Sequence, residues 1–543
     1  MRSRVLPALA ALSSVLVAGC TLAPRYQRPA APVQADWPAV TPPATTAPGG
    51  AAAPSSSVPA SELGWRDVFG DPRLQALVAL ALRENRDLRV AALNVQLAQA
   101  QYAIQRSALL PTVEASASAT RSRTPADLSL TGSPTTGTVY TVGVGLASYE
   151  LDLFGRVRSL KDQALEQYLA TEEAHRSAHL ALIAEVATQY LATRALDDQV
   201  TLARQTLATV QESLELAKRT FAAGKTSELD LRTAEAQVET ALFNLSAVQQ
   251  QRAQAENALV LLVGGPIPSD LPAPMPLDAQ PVVAELPPGL PSDLLQRRPD
   301  ILAAEHALRG ANASIGAARA AFFPSISLTA FGGTSSTELS HLFGSGSGMW
   351  SFAPRIDLPI FTGGRNKANL DAARVRKSIE VASYEKTIQV AFREVADGLE
   401  ARARLEEQLD FQSKRVEAEQ RRYDISELRY RKGVDSYLNV LTAQRDLYGA
   451  QQQLIQTRLA RLGNAIELYR ALGGGWLEKG TASPARSDAP AATPARASAT
   501  PASAPAASAP ASSAAPAITA EPATVPAAAP ATTAAPATEP ATR

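Results

Sequence analysis

Two periodicities alternate along the chain. From Thr112 to Thr120 polar and apolar residues alternate strictly, with Val113, Ala115, Ala117 and Ala119 on one face and Thr112, Glu114, Ser116, Ser118 and Thr120 on the other. That is the period of a strand with two unlike faces. The same parity returns in Tyr140, Val142, Val144 and Leu146, in Ile326, Leu328 and Ala330, and in Trp350, Phe352, Pro354 and Ile356. Strands of about ten residues, apolar outward and polar inward with aromatics near their ends, suit a lipid-facing barrel wall.

The other periodicity is helical. Arg156 to Phe221 and Arg365 to Arg429 contain no proline and one interior glycine, Gly398. At 1.5 Å per residue such helices reach roughly 100 Å. The returning helices, Glu228 to Leu262 and Tyr437 to Leu472, carry stripes such as Leu231, Val238, Leu242, Leu245 and Val248, a spacing that predicts lateral coiled-coil packing. A shorter helix precedes each strand pair, Asp87 to Leu109 and Asp300 to Phe322, each stopped by a proline, Pro111 and Pro324.

These elements fall into an internal duplication. Asp87-Leu88 aligns with Asp300-Ile301 and Ala108-Leu109-Leu110-Pro111 with Ala321-Phe322-Phe323-Pro324 at one offset; Gly224 aligns with Gly433 and Thr233-Ala234 with Thr442-Ala443 after a short slip in the strands. Each half reads helix, strand, strand, long helix, helix. Within each pair the strands are joined by Gly-, Ser- and Thr-rich loops, Arg121 to Gly137 and Gly332 to Gly348, expected outside the cell. Four strands cannot close a membrane barrel, and an open edge in lipid leaves unpaired backbone groups. The barrel must be shared between chains.

The ends of the chain set the compartment. Arg2 and Arg4 precede an apolar run, Val5 to Ala18, too short to span a bilayer. It ends in Leu16-Val17-Ala18-Gly19-Cys20, which resembles a bacterial lipobox with Cys20 as the lipidated residue. Cys20 is the only cysteine, which excludes an intrachain disulfide and a CxxC pair. Beyond the signal no apolar run is long enough for a membrane helix. Pro29 to Ala60 and Thr481 to Arg543 are dominated by Ala, Pro, Thr and Ser and cannot bury a core. The expected organisation is a signal peptide (1–19), a lipidated extended segment (20–62), a first repeat (63–265), a linker (266–292), a second repeat (293–476) and an Ala/Pro-rich tail (477–543). With 52 basic and 52 acidic residues, the net charge of +0 gives no sign of a nucleic-acid partner.

Three separated motifs then carry a resemblance: Cys20-Thr21-Leu22-Ala23-Pro24-Arg25-Tyr26-Gln27-Arg28-Pro29, Arg297-Arg298-Pro299-Asp300-Ile301, and Gly433-Val434-Asp435-Ser436-Tyr437-Leu438-Asn439-Val440-Leu441-Thr442-Ala443-Gln444-Arg445. Together with the duplication they resemble TolC-like outer-membrane factors of resistance-nodulation-division pumps, over Cys20 to about Trp476. The resemblance implies an α+β membrane protein, a homotrimer with a shared β-barrel of four strands per chain continuous with a long periplasmic α-helical coiled-coil barrel. It also implies docking onto a periplasmic adaptor and an inner-membrane transporter of that pump class. The function expected is a passive exit duct for drugs or other small molecules, lipid-anchored in the outer membrane. A type I secretion export channel, which shares the fold, is the alternative, and a pore-less envelope lipoprotein a further one.

The family places its closable aperture at the helix-turn-helix tips, here Thr220 to Asp230 and Tyr430 to Asn439, turning at Gly224 and Gly433, which are also the expected adaptor contacts. By the same resemblance Tyr430 and Asp230 form a hydrogen-bonded latch, Leu438 a hydrophobic constriction, and Arg445 a pair that steadies the closed state. Asp230 also completes a Ser-x-x-Asp capping pattern with Ser227; Leu438 also reads as a hairpin core residue and Arg445 as an exposed helix arginine. Where some relatives carry an anionic ring, this chain has Asn439 and Thr442. No catalytic, metal or cofactor motif is expected: His175 and His179 stand one helical turn apart without a third ligand, and His306 and His341 add none.

Overall fold

A computed structural model describes residues 21–34, 37, 60–130, 132–282 and 291–475. The expected signal peptide, Cys20 and the tail lie outside the described residues. In chain order the elements are α1 (Pro72–Glu84), α2 (Arg86–Ser107), β1 (Val113–Thr124), β2 (Thr135–Leu151), α3 (Arg156–Ala222), α4 (Glu228–Val263), α5 (Pro291–Arg297), α6 (Pro299–Ala320), β3 (Ser325–Ser336), β4 (Gly348–Asp357), α7 (Arg365–Arg431) and α8 (Tyr437–Ala471).

The helix starts are specified locally. Asp71 caps α1 by accepting from the amides of Arg73 (2.8 Å) and Leu74 (3.4 Å), with Pro72 in the first turn. Its other carboxylate oxygen receives the Tyr190 hydroxyl of α3 at 2.7 Å and the Gln280 amide at 3.1 Å. Asn85 caps α2 and donates to the Leu262 carbonyl of α4 at 2.8 Å. There Gly264 ends α4 at φ +87, and a Cβ on it would sit 2.4 Å from the Glu84 carbonyl oxygen. Only glycine meets both demands.

Helices α3 and α7 each run 67 residues, the roughly 100 Å expected. Toward the sheet the helices lie side by side in the order α2, α3, α6, α7; toward the far end the order is α4, α3, α8, α7. The main core sits where these two arrangements meet, around Trp65, Phe69, Tyr190, Ile301, Leu308, Tyr384 and Ile466. Among the described residues no helix is long and apolar enough to cross a membrane.

The four strands form one antiparallel sheet in the order β1-β2-β3-β4. Its register puts the alternating apolar positions on one face. Val113 lies opposite Leu146, Leu146 opposite Ala330 and Ala330 opposite Phe352; Ala115, Val144, Gly332 and Trp350 form the next row. Val113, Val144, Trp350, Phe352 and Ile356 are all exposed on that face. Beyond Leu146 the β2 parity would fail, but a bulge at Ala147 and Ser148, the latter at φ 45, restores it: Tyr149 and Leu151 pair with Leu328 and Ile326. On the polar face Phe331 lies over Gly143 and Gly145, where a Cβ would meet its ring at 2.4 and 3.2 Å.

The predicted loops are shorter than the composition suggested. Strand β1 continues to Thr124, β2 begins at Thr135 and β3 ends at Ser336, because the β1–β2 ladder runs on without a break through Arg121–Thr138 to Thr124–Thr135, with β-favouring threonines on the β2 side. The stretch 266–282, expected as a linker, packs through buried Leu277 and Gln280, and Phe69 bridges Val282.

The N-terminal motif has a structural role. Tyr26 donates to Glu305 of α6 at 3.1 Å, Arg28 grips both Glu305 oxygens at 3.1 and 2.5 Å, and Arg309 adds a second cation at 2.6 Å. Asn312 and Arg319 hold the Pro24 and Leu22 carbonyls at 2.7 and 3.1 Å. A Cβ on Gly316 would lie 2.8 Å from Ala23, so this glycine lets the strap lie flat. Farther along, Trp37, in a stretch whose composition gave no sign of packing, stacks on Phe392 of α7 at 4.8 Å. Glu305 is 2% exposed; burial pushes its carboxyl up, but the Arg28 and Arg309 contacts outweigh that and hold it below its ordinary value. Its depressed value means this stabilisation is present above about pH 4.5 and is lost as pH falls through the folded value. Glu305→Gln should release the strap, read as faster tryptic cleavage after Arg25; unchanged cleavage would show that the carbonyl contacts hold it alone.

Candidate functional site

The far end of the helical layer consists of two hairpin tips, α3–α4 and α7–α8, built by one local rule. Gly224 stands at φ +68 and Gly433 at φ +70. At the first tip the Gly224 amide donates to the Phe221 carbonyl (2.8 Å) and Lys225 to Thr220 (2.9 Å); at the second Gly433 donates to Tyr430 (2.8 Å) and Val434 to Arg429 (3.0 Å). Both are Schellman closures, which require a left-handed residue at the glycine. The turns predicted at Gly224 and Gly433 are in place.

Asp230 caps α4. Its carboxylate accepts from the Ser227 amide (3.3 Å) and hydroxyl (2.9 Å), while the Asp230 amide donates back to Ser227 Oγ at 3.2 Å. Tyr430 makes no bond to it within the chain: its hydroxyl is buried and unpartnered. Burial, opposed by a contact with Thr220 and reinforced by the negative charge of Asp230, raises the phenol above its ordinary value. Tyr430 is therefore a neutral donor at physiological pH.

Tyr430 belongs to an apolar cluster that joins the two hairpins. Ala217 and Ala234 of the first meet Tyr423, Tyr437, Val440, Ala443 and Leu447 of the second, and the Tyr430 and Tyr437 rings lie 5.2 Å apart. Burial, then its tyrosine neighbours, push Tyr437 up to about 12. Tyr423 and Tyr430 lie seven residues apart on one face of α7, a coiled-coil spacing that singling out Tyr430 alone passed over, and Tyr437 joins them from the first residue of α8, across the turn.

The remaining residues separate cleanly. Leu438 is 67% exposed, so the hairpin-core reading is corrected: its neighbours Tyr437 and Val440 take the core face and turn it outward. Arg445 pairs with adjacent Asp446 at 3.1 Å with its side chain 75% exposed. The cross-helix contact at this level is instead Arg422 of α7 with Asp446 of α8, 3.1 Å, because Arg445 points away from α7. Asn439 donates to Asp435 at 2.6 Å, and Arg429 pairs with the same carboxylate at 3.1 Å. Asn439, the Ser436 amide and Arg429 together hold the Asp435 carboxyl below its ordinary range. Phe221, Leu229 and Val434 are exposed at the tips, beside Lys218, Arg219, Lys225, Arg431 and Lys432.

Among the described residues no group of three or more His, Cys, Asp or Glu side chains converges as a metal site would. His179 is half-buried with its Nδ1 shielded and unpartnered, while His306 pairs with Glu166 at 2.6 Å between α6 and α3.

Comparison with known proteins bears directly on this architecture. A family model described as "Outer membrane efflux protein" matches residues 77–265 and 290–474, one span per repeat. The chain is similar to the probable efflux pump outer membrane protein TtgC of Pseudomonas putida, 50% identical over 469 residues that cover 86% of this chain and 95% of that one. It is 48% identical to the solvent efflux pump outer membrane protein SrpC of the same species, covering 88% and 99%. Among solved structures it is similar to the open state of the MtrE outer membrane channel of Neisseria gonorrhoeae, with 44% identity, TM-score 0.76 and coverage of 85% and 99%.

Proposed function

Because the chain belongs to the outer membrane efflux protein family, we propose that three copies close its open sheet and open helical layer into one continuous duct. The protein is the outer-membrane channel component of an efflux pump, with a periplasmic extension, and not an enzyme. The single observation that carries the trimer is that both edges of the molecule are unfinished in the same way. Strands β1 and β4 have free backbone edges, which lipid does not tolerate. The flanking helices carry exposed apolar stripes: Val90, Leu93, Leu97 and Ile104 on α2, Val375 and Ile379 on α7, with Phe243 of α4 and Phe411 of α7 toward the tips. Spacings of three, four and seven residues on α2 make a packing seam rather than scattered surface residues.

In the trimer β1 of one copy pairs with β4 of the next, and α7 seats against α2 and α4 of its neighbour. The Val113–Ile356 face meets lipid, and the Glu114, Ser116 and Thr141 face lines the lumen. Cys20, two residues before the strap that Arg319 ties near the foot of the sheet, carries the acyl anchor, a second membrane element beside the barrel. The six tips form the periplasmic aperture, with Leu438 facing the axis and Tyr430 and Asp230 as its latch. The exposed apolar and basic tip residues receive a periplasmic adaptor, and an inner-membrane transporter of the resistance-nodulation-division class supplies the cargo, drugs or solvents. The strap and the Arg298 motif favour this over a type I secretion channel.

Native mass spectrometry of detergent-extracted protein should give a trimer, and planar bilayers should give small, flickering currents. A stable monomer without conductance would remove the shared barrel.

A further inference from the structure

We infer that Arg121 and Arg123 of β1 form a binding site for the phosphates of the glycolipid in the outer leaflet, repeated three times around the barrel. The inference rests on the lipid-facing reading of the sheet given above. Along β1 the residues that share the outward face are Val113, Ala115, Ala117 and Ala119, followed without a break by Arg121 and Arg123. The register extends this across to β2: Ala117 lies opposite Val142 and Ala119 opposite Tyr140, then Arg121 opposite Thr138 and Arg123 opposite Thr136. The outward face thus passes in one step from apolar to cationic, with an aromatic in the last apolar row, as at a membrane boundary.

The level fits a phosphate layer. Two residues advance a strand by about 6.6 Å, so Arg121 stands one row and Arg123 two rows beyond the Ala119–Tyr140 border. This end of the sheet is opposite the helices, which extend into the periplasm, so the leaflet it meets is the outer one. Both arginines are exposed, and neither enters an ion pair among the described residues. Asp127, the one acid in the connecting segment 125–134, pairs with neither. Two free guanidiniums on one strand face, flanked by the Thr136 and Thr138 hydroxyls, present donors that phosphate oxygens match in pairs. A solvated loop terminus has no reason to keep both charges on the lipid parity while Ser122, between them, takes the other face.

The test uses the intact trimer in phosphatidylcholine nanodiscs containing lipopolysaccharide, once with its lipid A phosphates and once dephosphorylated. Native mass spectrometry should show the phosphorylated glycolipid retained by the wild type. The Arg121→Gln/Arg123→Gln variant should retain it roughly tenfold less, the loss expected for charge-assisted hydrogen bonds. Dephosphorylated lipid should bind both proteins equally weakly, and millimolar inorganic phosphate should not displace the lipid. Equal retention by the two proteins, or by the two lipids, overturns the site; full displacement by inorganic phosphate overturns the lipid assignment in favour of a simple anion site. Wild-type trimers that fail to enter any bilayer would overturn the shared-barrel reading, and this inference with it.

Discussion

In planar bilayers the Tyr430→Phe/Asp230→Ala protein is expected to show larger and longer openings than the wild type, at unchanged trimer yield. The reasoning starts from an imbalance in the isolated chain: a buried phenolic hydroxyl with no partner, and a half-buried carboxylate whose field already acts on it. A buried donor left unmatched costs about 1–3 kcal/mol, which the closed aperture recovers when the tips draw together and the phenol reaches the carboxylate. A charge-assisted bond is worth about 1.5–3 kcal/mol, so three copies contribute roughly 4.5–9 kcal/mol to closure. A shift of about 5.5 kcal/mol carries a two-state equilibrium from 1:99 to 99:1. The single changes divide the latch from the cap. Tyr430→Phe removes an unpaired group and should leave thermal stability unchanged while raising conductance. Asp230→Ala also deletes the Ser227 capping box, at a cost of about 1 kcal/mol, and should lower stability as well. Unchanged conductance in a correctly assembled double variant would leave Asp230 as a cap and nothing more.

Arg298→Ala is expected to cost about 2–3 kcal/mol and to lower the yield of folded protein, measured by thermal melting in detergent. Arg298 is 5% exposed and holds three elements at once. It grips Asp300 at 2.8 Å, Glu394 of α7 at 2.5 Å and the Ala471 carbonyl at the end of α8 at 3.0 Å. Burial pushes its guanidinium down, but the two carboxylates outweigh that and raise it above its ordinary value. Only Arg298 is buried in this cluster: Asp300 and Glu394 stay 32% and 24% exposed and Glu394 keeps Arg470 at 3.7 Å, so the expected loss lies between that of a surface pair and that of a fully buried one. Arg298→Lys keeps the charge but not the fork, and should recover only part of the loss. A melting temperature equal to the wild type would show that Pro299 and the surrounding core suffice.

Much of this was legible from local pattern. Strand parity, the duplicated order of elements, the 67-residue helices and the glycines at both tips follow from short-range rules: a period of two or 3.6, the absence of proline, and a left-handed closure only glycine accepts. The helix-capping role of Asp230 was equally visible in Ser227-x-x-Asp230, because both partners lie within one turn. What sequence reading missed needed distant partners. Nothing near Glu305 announces that Tyr26 and Arg28 will close on it, or that Asp446 meets Arg422 rather than only Arg445; which residue of a charged helix faces its neighbour depends on the phase at which two helices meet.

By itself, then, the sequence determined the elements and the two unlike faces of each strand, since both are properties of neighbouring residues and steric rules. Only the tertiary structure decided the β2 bulge that keeps the lipid face continuous, the outward turn of Leu438 and the strap across α6. It alone left the Tyr430 hydroxyl buried without a partner. Each of these depends on register between segments far apart in the chain, and register is set by the packing of whole faces rather than by any residue's own preference.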